Sequence, residues 1–154
     1  MTTSFTHTFA SSSATTDTSA LRDAAPKGLR VESADLTPGE FHHRFHESTG
    51  RIRLVDCSAG SGTNAEFIAT MEFADRLRTV VANGGPVAAL TSAFYDEGYP
   101  FEILRFHQRH TAHGYATFVH GECDGRRGWG AALADNPTES TIRAMISGVN
   151  LLGR

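Results

Sequence analysis

Two consecutive stretches of this chain read in the same order, and that repetition restricts the fold more than any other feature. Each offers three segments of alternating apolar and polar residues, then a turn, then a segment whose apolar residues recur at helical spacing. In the first, Ile52, Leu54 and Asp56 alternate with Arg53, Val55 and Cys57, and Ser58-Ala59-Gly60-Ser61-Gly62 is turn chemistry. Phe67, Ala69, Met71 and Phe73 then alternate with Ile68, Thr70 and Glu72, and after a turn at Ala74-Asp75 a third strand covers 77–82. Asn83-Gly84-Gly85-Pro86 bends the chain sharply, because glycine tolerates φ > 0 and Pro86 suits the first helical position. Val87, Leu90 and Phe94 mark the buried face of a helix over 86–97, which Gly98 closes.

The second stretch repeats the pattern. A strand over 101–110 sets Phe101, Ile103 and Arg105 on one face and Leu104 and Phe106 on the other. Strands over 115–123 and 127–133 follow, joined by the hairpin turn Asp124-Gly125. Asn136, Pro137 and Glu139 then supply an N-cap, a first helical residue and an N3 acid, and Ile142, Met145, Ile146, Val149 and Leu152 form the buried stripe. The fold class is therefore α+β: two tandem β-β-β-α units related by an internal pseudo-twofold. With both helices on one side, the opposite strand face needs a cover. Ile68 beside Phe67 shows that this face is partly apolar too. A homodimer formed through the sheets is the simplest expectation.

Residues 1–27 are dominated by Ser, Thr and Ala, with scattered Phe5 and Phe9, and are expected to be a flexible tail. Residues 28–50 form a linker with one short N-terminal helix, and 51–153 the folded domain. In that helix Thr37 is the N-cap, Pro38 the first residue and Glu40 the capping-box acid. Phe41 and Phe45 lie one turn apart and should dock it on something larger. His42 and His46 share metal-ligand spacing, but neither an acidic base nor a third ligand accompanies them, so they read as solvated.

Composition removes several function classes. A net charge of −3 gives no basic footprint for nucleic acid. No apolar run approaches the roughly 20 residues that cross a bilayer. The N-terminus lacks early Lys or Arg and a long apolar block, so no secretory signal is read and a cytoplasmic location is expected. Cys57 and Cys123 make no disulfide framework and serve as packing groups. Neither a cofactor nor a membrane or nucleic-acid partner is expected.

The densest polar cluster is His107, His110 and His113 with Arg105 and Arg109. On an extended strand His107 points with Arg105 and His110 the other way, which disfavours a three-histidine zinc site, and no metal is expected. A single histidine, His107 or His110, remains a candidate general acid or base, with Glu102, Glu122 or Asp124 to orient it.

Several short motifs resemble one family. Gly85-Pro86-Val87-Ala88-Ala89-Leu90 resembles the Gly-Pro-Val-x-Ala turn of the C-terminal regulatory (dimerisation) domain of 2-isopropylmalate synthases. Leu104-Arg105-Phe106 falls where that family has a Leu-Asp-Tyr-like strand, and Trp129-Gly130-Ala131-Ala132 resembles its Trp-Gly-Val-Gly strand. Arg143-Ala144 with Ser147-Gly148-Val149-Asn150 is similar to its closing helix. The resemblance covers about residues 51–152, and the helix over 36–47 is similar to the subdomain that precedes the regulatory domain. It implies two β-β-β-α units that dimerise and bind leucine or a related amino acid. By the same resemblance Gly85, Val87, Ala88, Ile103 and Phe106 would line the pocket, Ala116 and Leu133 would wall it, and His110 would fall near it.

Departures from the family pattern at Ala88, Arg105, Phe106, His110 and Ala132 leave the ligand open among leucine, a related amino acid and a biosynthetic intermediate. The family's metal-dependent condensing barrel needs about 250 residues, and neither it nor its His-x-His motif is in the sequence. The resemblance therefore implies a stand-alone regulatory module without condensation activity, with a synthase catalytic subunit in trans as a further partner. The alternative is a small enzyme recruited from this scaffold for specialised metabolism, with His107 or His110 as general acid or base.

Overall fold

The computed structural model describes residues 19–46, 50–60 and 65–153. Three short helical segments come first: 19–23 (α1), Lys27–Glu32 (α2) and Pro38–Phe45 (α3). The first unit follows as β1 (Ile52–Ala59), β2 (Glu66–Phe73), β3 (Arg76–Asn83) and α4 (Val87–Asp96). The second is β4 (Phe101–Thr111), β5 (Gly114–Cys123), β6 (Arg126–Ala134) and α5 (Pro137–Leu152). Each strand triplet is an antiparallel meander, β1-β2-β3 and β4-β5-β6, so the tandem β-β-β-α architecture holds.

The units repeat each other even in their irregularities. β1 bulges between Leu54 and Asp56, and β4 between Ile103 and Arg105; the extra residue, Val55 or Leu104, is the fourth of its strand in both. The second hairpin of each unit closes through two residues, Ala74-Asp75 and Asp124-Gly125, with φ of 54° at Ala74 and 53° at Asp124. The β4 bulge corrects the strand phase read from simple alternation. Leu104 is absorbed without a partner, so Arg105 pairs with His120, whereas Phe106 pairs with Val119 and shares the face of Phe101 and Ile103.

Both helices pack into one core shared by the two sheets. It gathers Phe67, Met71 and Phe73 from the first sheet, Leu90 and Phe94 from α4, Phe101 and Val119 from the second sheet, and Met145 and Val149 from α5. The sequence gives α5 a single apolar stripe, yet 11 of its 16 residues are buried. It lies across β5 and β6 and also reaches β1, α3 and α4. The crossing with β6 is close: a methyl group on Gly130 would land on the Ala144 carbonyl oxygen and the Gly148 amide.

The polar residues that α5 buries are each satisfied, as burial requires. Ser140 Oγ donates to the Tyr115 carbonyl at 2.7 Å and lies 2.6 Å from Thr117 Oγ1. Ser147 Oγ donates to the Phe45 carbonyl at 2.7 Å. Asn150 ties the two units together: its Oδ1 accepts from the Ile52 N–H at 3.0 Å and its Nδ2 donates to the Ile52 carbonyl at 2.8 Å. The side-chain amide thus occupies the place a neighbouring strand would take.

A second, smaller core lies on the other face of the β4-β5-β6 sheet. Leu21, Ala24, Ala25 and Leu29 from the α1–α2 region, with Phe41 and Phe45 from α3, bury Ala116, Phe118, Trp129 and Ala131. The capping box expected for α3 is formed: Thr37 Oγ1 accepts from the Glu40 N–H at 3.1 Å, and Glu40 Oε1 accepts from the Thr37 N–H at 2.8 Å. This layer corrects the expected limit of the tail at residue 27. Residues 19–27 are folded because Leu21 and two alanines fit against a sheet nearly a hundred positions away, which local composition does not reveal. The tail expectation for 1–18, with Phe5 and Phe9, lies outside the described residues, as do Ser61 and Gly62 of the expected turn.

The corresponding face of the β1-β2-β3 sheet has no such layer among the described residues. Val55, Ile68, Leu77 and Val81 are 45%, 40%, 63% and 56% exposed there.

Candidate functional site

The glycine joint between β3 and α4 borders a cleft of about 200 Å³. Gly84 takes φ 80°, which turns the chain out of β3. Pro86 is the cap residue, with helical dihedrals of −82° and −10°, and α4 starts at Val87, one residue later than the spacing predicts. No side chain caps that helix, so its first N–H groups point outward without a side-chain acceptor. α5 starts beside it, with Asn136 Oδ1 accepting from the Glu139 N–H at 2.8 Å. Gly84 and Gly85 from the first joint and Thr138 from the first turn of α5 line the same cleft. Ala59, Gly60, Ala65, Glu66 and Phe67 complete its wall, Glu66 turning its side chain to the opposite, exposed face of β2.

Of the residues that the resemblance assigns to a pocket, only Gly85 lines this cleft. Val87 and Ile103 are half-buried against the main core, and Ala88 is exposed on the first turn of α4. Phe106 is exposed on β4. Ala116 and Leu133 face each other across β5 and β6, but on the opposite side of the sheet, under the α1–α3 layer. His110 sits at the far end of β4 in a different cleft. The eight positions are not brought into one cavity. Strand parity is the physical reason, since Phe106 and Ala116 point to opposite faces of one sheet. Glu66 and Thr138 were not singled out in the sequence; only the docking of α5 beside the joint makes them neighbours.

The histidines separate as the strand geometry predicts. His107 pairs with Phe118 on the face covered by the N-terminal layer; its ring lies 6.1 Å from that phenyl ring, and its Nε2 is buried with no hydrogen-bond partner among the described residues. His110 stacks on Tyr115, the rings 4.1 Å apart and 4° from parallel. The carboxylates that could orient a catalytic histidine are elsewhere. Glu102 pairs with Glu122 near the start of β4, Asp124 is in the turn after β5, and Glu122 accepts from Arg127 Nε at 2.9 Å.

His42 and His46 meet edge to face at 4.6 Å, and His46 Nδ1 donates to the Ala131 carbonyl at 2.7 Å, fastening α3 to β6. Among the described residues no group of three His, Cys, Asp or Glu side chains is arranged to hold a metal ion. No helix among them is long and apolar enough to cross a membrane. Burial pushes the Cys57 thiol above its ordinary value, with the Glu139 and Asp56 carboxylates adding to the shift. Burial, then Asp124, does the same to Cys123. Both thiols therefore stay protonated and behave as packing groups.

No protein-family model matches the chain. It is similar to 2-isopropylmalate synthases. It is 29% identical over 114 residues to that of Clavibacter michiganensis subsp. michiganensis (strain NCPPB 382), which covers 70% of this chain and 19% of the relative. To that of Clavibacter sepedonicus it is 28% identical over 114 residues, with the same coverage of 70% and 19%. To that of Thermobifida fusca (strain YX) it is 26% identical over 147 residues, covering 81% of this chain and 26% of the relative. The likeness carried by the short motifs thus extends through most of the chain, which corresponds to about a fifth to a quarter of the length of these synthases.

Proposed function

We propose that this relative of the 2-isopropylmalate synthases is an amino-acid-binding regulatory and dimerisation domain, without condensation activity of its own. The observation that carries the reading is the cleft where the uncapped start of α4 meets the first turn of α5. Free N–H groups at a helix start suit a carboxylate. Ala59 and Phe67 give an apolar wall. Leucine or a related small amino acid meets both demands.

Calorimetry with leucine, isoleucine, valine and lysine tests this. Saturable binding of at least one is expected. No heat with any of the four would overturn the reading.

A second copy of the chain is the proposed cover for the β1-β2-β3 face, since Val55, Ile68, Leu77 and Val81 are exposed together there. The equivalent face of the other sheet buries its apolar residues against the chain's own helices. A synthase catalytic subunit, acting in trans, is the partner such a dimer would regulate.

A further inference from the structure

A cleft larger than the one at the glycine joint lies between α1 and the end of the β4–β5 hairpin. Its volume is about 610 Å³, and Ser19, Ala20, Asp23 and Ala24 form one wall, Arg109, His110, Thr111 and His113 the other. That size falls within the roughly 300–1,000 Å³ typical of small-molecule sites.

The hairpin wall carries cationic donors. Arg109 has no carboxylate within ion-pair distance among the described residues, although Arg53, Arg76, Arg78, Arg127 and Arg143 each have one. The His110 ring turns to the other face of the sheet, where it stacks on Tyr115, and is no part of this wall. The turn that carries His113 is held by Thr111, whose Oγ1 donates to the Gly114 carbonyl at 2.8 Å and accepts from the His113 N–H at 3.0 Å. Gly114, at φ 128°, lies so close to β6 that a methyl group there would sit 2.7 Å from the Ala134 carbonyl oxygen. A donor carried on such a rigid turn, as His113 is, loses less freedom when a ligand arrives.

The opposite wall has the reverse character. Leu21 and Ala24 are buried and anchor α1, and Asp23 and Ser19 from the same helical turn line the cleft. Asp23 has no ion-pair partner among the described residues either. The cleft therefore presents a cationic, donor-rich side to an acidic, acceptor-rich side.

We infer that this cleft binds a small bifunctional anion. A carboxylate or phosphate group is taken by Arg109 with His113, and a hydroxyl or ammonium group at the other end is taken by Asp23. An arginine fork matches the paired oxygens of either anion. The inference uses none of the residues of the joint cleft and stands independently of the proposed amino-acid site.

Histidine side-chain NMR and calorimetry on the full chain test it, with inorganic phosphate, glycerol 1-phosphate and 3-hydroxybutyrate as probes. Saturable movement of the His113 ring signal at millimolar probe is expected, with those of His42, His46 and His120 still. Saturation by glycerol 1-phosphate alone assigns the anionic end to phosphate, and by 3-hydroxybutyrate alone to carboxylate. Arg109→Gln should weaken binding about tenfold or more, whereas Arg105→Gln, on the same strand but outside the cleft, should not. Asp23→Asn should weaken the two bifunctional probes and leave inorganic phosphate unchanged. The inference is overturned if no probe moves the His113 ring, if Arg109→Gln binds as the parent does, or if Asp23→Asn leaves all three probes unaffected.

Discussion

Replacing Asn150 with alanine should cost far more stability than truncating one polar side chain usually does. Ile52 is fully buried at the start of the edge strand β1. The Ala74 N–H donates to the Arg51 carbonyl at 3.0 Å, so strand alternation turns the Ile52 N–H and carbonyl away from β2 and toward Asn150. Asn150→Ala leaves both groups buried without their partner, at about 1–3 kcal/mol each. Water entering the space left by the amide offsets part of this, giving a net loss of about 2–4 kcal/mol. Against a usual total of about 5–15 kcal/mol, that is a large fraction.

Urea unfolding followed by far-ultraviolet circular dichroism measures the loss directly from the shift in midpoint at constant slope. A loss below about 0.5 kcal/mol, the range of ordinary surface substitutions, would refute the reasoning. Asn150→Asp supplies the sign. The introduced carboxyl can donate to the Ile52 carbonyl only when protonated, so the folded state holds that proton more tightly than the unfolded chain. Its deficit should be smallest below about pH 4 and grow as pH rises above it.

Gly130→Ala should cost about 3 kcal/mol, because the added methyl meets α5 backbone that has no room to give; a loss under about 1 kcal/mol in the same urea assay would contradict the close crossing. The thiols of Cys57 and Cys123 are raised in the folded state, so their contribution to stability is constant below about pH 8.5 and declines as pH rises beyond it. At pH 8 both should react with a disulfide reagent more slowly than free cysteine does, and equal rates would remove the argument. Ile68→Asp should convert a dimer to a monomer in sedimentation while the chain keeps its far-ultraviolet circular dichroism, since that side chain already faces solvent in the single chain; an unchanged sedimentation coefficient would exclude that face. Thr37→Ala should cost about 1 kcal/mol by breaking the capping box of α3.

What the sequence disclosed was mostly what is decided locally. The helix starts at Thr37 and Asn136 were legible because cap, proline and acid lie within four residues. The tandem order was legible because strand and helix periods alternate twice. The bulge at Leu104 was not, since an extra apolar residue in an apolar strand leaves no mark in the pattern. Nor was the helical layer over the second sheet, because Leu21 is a lone leucine in a stretch of small polar residues. The structural roles of Ser147 and Asn150, named only within a helix motif, were not legible either, because their partners, Phe45 and Ile52, lie about a hundred residues earlier. The joint at Gly85 was visible as backbone chemistry, while Glu66 and Thr138 join it only through tertiary packing.

The unequal treatment of the two sheets limits how the molecule can associate. A duplicated unit with both outer faces bare would carry two adhesive surfaces, and copies could then stack without end. Here the N-terminal helices occupy one of those surfaces. Under the proposed pairing one bare sheet face is left among the described residues, so growth by that route would end at two copies. The short helices ahead of the repeat would then act as its chain stopper.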